Sequence, residues 1–165
     1  MRLSHTDEQG GARMVDVAGK PVSERTAVAE GLVRMSAEAF ALVRDNAVAK
    51  GDVLTVCRIA GISGAKRTAD LVPLCHPLPL DLVEVTAVAD PMLPGVRITA
   101  RTRATARTGV EMEALAAVSA ACLTVYDMVK AVDQAMRIEG IRLVSKTGGT
   151  RGDYAAPPAE PGRSA

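Results

Sequence analysis

Leu82-Val83-Glu84-Val85-Thr86-Ala87-Val88-Ala89 and Val96-Arg97-Ile98-Thr99-Ala100-Arg101-Thr102-Arg103-Ala104 decide the architecture. Val83, Val85 and Ala87 alternate with other residues in the first run, and Val96, Ile98 and Ala100 in the second, the period of strands with one buried face. Pro91 and Pro94-Gly95 lie between them and turn the chain, so the two runs form an antiparallel hairpin. Directly after it, Thr108-Gly109-Val110-Glu111 has the T-x-x-E spacing of a capping box. An Ala-rich, largely unbroken helical pattern then runs to about Met136.

Outward from this core, Arg25 to Met35 places Ala27, Ala29, Gly31, Val33 and Met35 on alternate positions, as a half-buried strand does, although helix competes for the same stretch. Ser36 offers an N-cap for a short helix to about Asp45 that presents Phe40 and Val43. Asp52 caps a second helix extending to about Leu71, where Pro73 stops it. Gly61 and Gly64 within it allow close approach of a neighbouring helix, each at a propensity cost of about 1 kcal/mol. Ile138 to Val144 reads as the last strand, with Gly140 as a bulge. The order strand, helix, helix, strand, strand, helix, strand predicts an α+β fold, an antiparallel sheet covered by helices on one face. Residues 1–24 read as an arm or ligand-covering loop and residues 25–151 as one domain. The Gly- and Pro-rich stretch 152–165 reads as a disordered tail.

At 165 residues the chain suits one domain built on one core. Lys plus Arg number 20 and Asp plus Glu 19, so the formal charge of +1 supplies no broad positive field. Aromatic residues make up 2% with no Trp, which leaves few rings for stacking bases and argues against nucleic-acid binding. A small anionic ligand stays compatible with local clusters of cations. Cys57, Cys75 and Cys122 are odd in number and widely spaced, the pattern of reduced thiols in a cytoplasmic protein. Apolar runs are broken before the roughly 20 residues needed to cross a bilayer, and no membrane association is expected.

Several residues stand out as candidates for chemistry. Pro73, Pro77 and Pro79 stiffen the segment around Leu74, Cys75 and His76 into a non-helical platform. Cys75-His76 is half a zinc site at most, because His5, Cys57 and Cys122 show no paired ligand spacing, and no metal site is predicted. Asp127 and Lys130 are neighbours on one helix face. An ordinary surface ion pair accounts for that spacing. Partial burial among Val125, Met128, Val129 and Val132 would instead shift both pKa values and suit the pair to proton transfer. Lys50, just before a helix start, is placed to reach an anion held by orphan amides. Lys66, Arg67 and Lys146, the last leading into Thr147-Gly148-Gly149, are candidates for phosphate contact, although each is also an ordinary solvated cation. Glu111 opens the long helix beside Met112 and Glu113, where a carboxylate favours the positive end of the helix dipole. Glu111 and Asp127 are sixteen positions apart, about 24 Å along a helix. One small ligand cannot touch both within one chain, so two functional ends imply a site shared between chains.

Met14-Val15-Asp16-Val17, Lys50-Gly51-Asp52-Val53-Leu54, Arg58-Ile59-Ala60-Gly61-Ile62, Lys66-Arg67-Thr68, the run from Asp70 to Leu80, Thr108 to Leu115, Tyr126-Asp127-Met128 and Lys130-Ala131-Val132 together resemble the cyclic pyranopterin monophosphate synthases. These form the accessory protein C family of molybdenum-cofactor biosynthesis. The match runs in order from about residue 3 to 152. Leu-Cys-His-Pro-Leu and Thr-Gly-Val-Glu-Met-Glu-Ala-Leu are its most specific segments. Cys57, Val129 and Thr147 depart from the residues usual in the family, without removing a proposed functional group.

The resemblance implies a ferredoxin-like α+β subunit in a hexamer, a trimer of dimers with active sites at subunit interfaces. It implies conversion of 3′,8-cyclo-7,8-dihydroguanosine 5′-triphosphate to cyclic pyranopterin monophosphate, with diphosphate released and Mg²⁺ a possible companion of the triphosphate. By motif, Asp127 corresponds to the acid/base, Lys130 to its partner and Lys50 to a further catalytic lysine. Leu74, Cys75, His76, Met112 and Glu113 correspond to substrate-binding positions. Closing a cyclic phosphate needs a base for the attacking hydroxyl and cations for the departing diphosphate, and these residue types supply both. A ferredoxin-like regulatory domain that grips a nucleotide without turning it over is the competing expectation.

Overall fold

The computed structural model describes residues 10–149 and 152–157. Five antiparallel strands form one sheet in the order β2-β3-β1-β4-β5. They are β1 (Ser23–Arg34), β2 (Leu82–Asp90), β3 (Gly95–Ala106), β4 (Arg137–Thr147) and β5 (Tyr154–Ala155). The helices are α1 (Ala37–Arg44), α2 (Val53–Lys66), the single turn α3 (Thr68–Leu71) and α4 (Glu111–Val129). This is the α+β arrangement that the order of elements predicts, and it is ferredoxin-like as the resemblance implies.

Strand β1 lies at the centre because it alternates without a break. Ala27, Ala29 and Val33 are fully buried on one face, and β1 pairs with β3 from Ser23↔Ala106 to Arg34↔Gly95. The hairpin forms as read, with Val85 opposite Ala100 and Ala87 opposite Ile98. Gly140 sits at φ +64 where the β1–β4 register slips between Glu30 and Leu32, so the expected bulge is present.

Helix α4 covers the sheet through Ala114, Ala117, Val118, Ala121, Cys122 and Val125, each fully buried. Among the described residues it is the one helix long and apolar enough to cross a membrane, yet here it is a core helix packed on the sheet with α2 beside it. A Cβ on Gly64 would come 2.6 Å from the Cβ of Ala120, and one on Gly61 3.0 Å from the Ala117 carbonyl oxygen. The two glycines of α2 therefore let it press onto α4, as their spacing suggests. Ser36 and Asp52 cap α1 and α2 by accepting from Ala39 N at 3.2 Å and Thr55 N at 2.9 Å.

Three expected boundaries shift. Helix α2 ends at Lys66 and not near Leu71, because the Thr68 hydroxyl donates to the Ala65 carbonyl at 2.9 Å and Arg67, at φ −113, breaks the run before α3. No capping box opens α4: its N-cap is Val110, without a side-chain bond, and Glu111 turns instead to Lys146 at 2.8 Å. The far end of α4 is Val129 and not Met136. Asp133 leaves the helix to accept from the backbone of Ser36 at 2.7 Å and of Ala135 at 2.8 Å. The expectation of disorder from residue 152 fails over residues 152–157, where β5 pairs with β4 through Ser145↔Ala155 and Lys146↔Tyr154. Residues 1–9 of the arm, with His5, and the tail from 158 lie outside the described residues.

Candidate active site

Two charged clusters occupy the two ends of α4. At its start, the arm, the proline-stiffened segment, β1 and the end of β4 converge on a cleft of about 370 Å³. Leu74, Cys75 and His76 line one side, with the turn closed by Cys75 N donating to the Val72 carbonyl at 3.0 Å. Glu111, Met112 and Glu113 line the floor, and Lys146 to Gly149 the wall opposite. Val15 and Val17 of the arm add to the lining.

Opposite charges share this cleft at different depths. Glu113 is buried, 4% exposed, and burial pushes its carboxyl above the usual range, with Glu111 nearby adding to the rise. Burial likewise raises the Cys75 thiol, reinforced by Glu113 and then Glu111, so Cys75 stays a neutral thiol at neutral pH. Glu111 is paired with Lys146 at 2.8 Å, both side chains about three-quarters covered.

Lys20, Arg25 and Arg107 also line the cleft, and reading of the sequence alone passes over them. Arg25 carried a signal. It stands one step before Ala27 in the inward phase of β1, where a charge is out of place unless it serves something. The residue is buried, 7% exposed, and its guanidinium donates through Nε to the Ala106 carbonyl at 3.4 Å. Lys20 and Arg107 stand in irregular segments, where no periodicity marks them.

At the other end of α4, Asp127 receives Lys130 Nζ at 2.6 Å and Lys50 Nζ at 2.8 Å on its two carboxylate oxygens. Lys50 also donates to the main-chain oxygen of Asp127 at 2.8 Å. A carboxylate in the last turn of a helix meets the negative end of the dipole, and the two ammonium groups offset that. Lys50 thus serves a helix C-terminus, not the orphan amides of α2 that its position before Asp52 suggests.

The partial burial expected of this pair is absent in the chain by itself. Asp127, Lys130 and Lys50 are 58%, 52% and 48% exposed. Their pKa values move away from neutrality and not toward it. The hydrogen bond from Lys130, then that from Lys50, holds the Asp127 carboxyl down to about 2, and Asp127 raises Lys130 in return. Asp127 is therefore an anion and Lys130 a cation at neutral pH. Lys66 and Arg67 are exposed at the end of α2 and stand outside the lining of the cleft. Cys57 and Cys122 are buried free thiols, and burial raises them to about 11 and about 12. Among the described residues, no group of three or more His, Cys, Asp or Glu side chains converges as metal ligands.

The fold and these clusters define the class: a ferredoxin-like α+β protein with a charge-lined cleft of small-molecule size at one end of its core helix and a carboxylate–ammonium cluster at the other. Within that class the chain belongs to the MoaC family, whose model matches residues 14–149. It is 60% identical over 154 residues to a cyclic pyranopterin monophosphate synthase of Cereibacter sphaeroides, covering 93% of this chain and 97% of that one. A Methylobacterium protein of the same name is 59% identical over 157 residues, 95% of this chain and 98% of its own. One from Dinoroseobacter shibae is 56% identical over 154 residues, 93% and 98% of the two chains.

Proposed function

We propose that the protein is an enzyme of molybdenum-cofactor biosynthesis that converts the cyclic dihydroguanosine triphosphate to cyclic pyranopterin monophosphate and diphosphate. The observation that carries this reading is identity of 60% across 93% of the chain to a protein named for that product. The cleft supports it, since Lys20, Arg25, Arg107 and Lys146 bring cations to one small cavity in a chain of nearly balanced charge.

In this reading the cleft holds substrate through Leu74, Cys75, His76, Met112 and Glu113, and its cations oppose charge on the phosphates. Glu113 and His76 are placed to hydrogen-bond the ring system. Asp127 is the general base and Lys130 the general acid, the protonation states that their mutual pairing enforces. Lys50 holds the second carboxylate oxygen and stands ready to exchange it for a phosphate oxygen.

Distance supports a site shared between chains. Glu111 and Asp127 belong to one helix, α4, and are separated by about 24 Å along it. In this reading the acid–base cluster of one chain completes the cleft of another, in the cytoplasmic hexamer, a trimer of dimers, that the family resemblance implies. Enclosure by the partner removes water from Asp127 and raises its basicity from the low value it has in the open. The direct test incubates the purified protein with the cyclic dihydroguanosine triphosphate and follows diphosphate and the pterin product. Release of both is expected, and an inert mixture would overturn the assignment.

A further inference from the structure

The wall of the cleft formed by Lys146, Thr147, Gly148 and Gly149 is held from two sides, by the start of β1 and by the segment that carries β5. On the inner side the loop presses on the start of β1. Gly148 and Gly149 have φ +84 and +97, and a Cβ on either would collide, with the Glu24 carbonyl oxygen and with Arg25 Nη1 respectively. The glycines therefore form the seat of the Arg25 guanidinium. On the outer side lies the segment 152–157. Its Asp153 carboxylate accepts from Gly148 N at 3.1 Å, Tyr154 pairs with Lys146, Ala156 N donates to the Val144 carbonyl at 2.7 Å, and Arg142 Nη1 donates to the Pro157 carbonyl at 3.1 Å.

We infer that Asp153 is a positioning residue for substrate binding: by holding the Gly148 amide it fixes the glycine seat of Arg25 and the station of Lys146 in the cleft. Asp153 is not among the residues lining the cleft, so it acts through the loop and not on the ligand. The inference rests on reading the cleft as the substrate site. A purely electrostatic role makes the opposite prediction. Removing a negative charge beside a cation-lined cleft would tighten an anionic substrate, whereas losing the tether to Gly148 weakens it.

The test is steady-state kinetics of the full chain with the cyclic dihydroguanosine triphosphate, together with amide hydrogen exchange at Gly148 in the free protein. Asp153→Ala is expected to raise KM by about fivefold or more with kcat within about threefold of the parent, the split that marks lost ground-state binding. Gly148 exchange should accelerate in the same variant. Asp153→Asn keeps an acceptor oxygen without the charge, and should return both KM and exchange close to the parent. Ala156→Pro removes the bond to Val144 and leaves the carboxylate in place, so it should raise KM in the same direction even if Asp153→Ala does not fold. An unshifted or lowered KM in an active Asp153→Ala chain sinks the inference alone, as does an Asp153→Asn chain as impaired as the alanine variant. A parent chain that releases no diphosphate sinks the reading of the cleft, and the inference with it.

Discussion

The start and the end of α4 carry similar charged groups in opposite surroundings. At the start, the arm, the His76 segment, β1 and β4 all close on Glu111 and Glu113, and Glu113 is buried deeply enough to favour its neutral form. At the end, among the described residues, the lysines at 50 and 130 stand against Asp127, and their pairing in the open favours the ionised form. One chain thus builds a closed pocket at the start of α4 and leaves an exposed ion-pair cluster at its end. On the function proposed above, that difference separates what folding of a single chain supplies from what assembly has to add.

The comparison breaks most readily at Asp127. Asp127→Asn is expected to lower kcat by at least about 100-fold, the scale of a lost general base. Its melting temperature should stay within about 2 °C of the parent, because exposed ion pairs contribute little to stability. A variant that keeps its turnover would reduce the cluster to a surface ion pair. Pairing of the ends across chains is tested by co-assembling Asp127→Asn with His76→Ala, each inactive or nearly so alone. Random mixing leaves sites with one intact start and one intact end, and about a quarter of parental turnover should return if each site draws on two chains. No recovery in verified mixed oligomers would mean that both ends do not serve one site.

A smaller effect is expected at Lys146. Lys146→Ala removes one cleft cation and leaves Glu111 without its partner, so KM should rise about tenfold while kcat changes less. Lys66→Ala serves as the contrast, since Lys66 stands outside the lining. Its KM is expected to stay within about twofold of the parent, and a rise matching that of Lys146→Ala would place the end of α2 in the substrate's path.

Where the sequence is legible, the reason is local. Alternation in β1 and in the hairpin needs only neighbouring residues to be read, and Gly61 with Gly64 announces a close helix contact. Of the misplaced boundaries, the end of α2 rests on a local bond from Thr68 to Ala65, and both ends of α4 involve partners remote in the chain. Glu111 gives up the capping box for Lys146, 35 residues on, and Asp133 ends the helical run by bonding to Ser36, 97 residues back. Strand β5 has two residues in a Gly- and Pro-rich stretch, below what periodicity can detect. Of the site, the residue types at both ends of α4 were readable. Lys50 reached Asp127 from 77 positions away, which spacing could not foresee, and Arg25 was concealed inside a strand pattern that otherwise read as core.

The sharpest physical contrast between the two ends is the sign of their pH dependence, although its amplitude is the smallest. Folding raises the Glu113 carboxyl above its ordinary value of 4.5, so the folded chain binds the proton more tightly than the unfolded one and stability declines as pH rises from about 4.5 through the folded value. Folding lowers Asp127 from 3.8 to about 2, so its contribution is present above 3.8 and is lost as pH falls toward 2. Glu113→Gln should therefore raise the melting temperature at pH 7 by about 2 °C and flatten the slope above pH 4.5. Asp127→Asn should lower the melting temperature at pH 7 slightly, within the same limit of about 2 °C, and flatten the acid limb by the same small amount, an effect that added salt removes because the pair is exposed. Melting curves across pH at low and high salt separate the two. A Glu113→Gln chain that melts below the parent at pH 7 would mean that the buried carboxylate gains more from the cations of the cleft than burial costs it, and the start of α4 would then resemble its end.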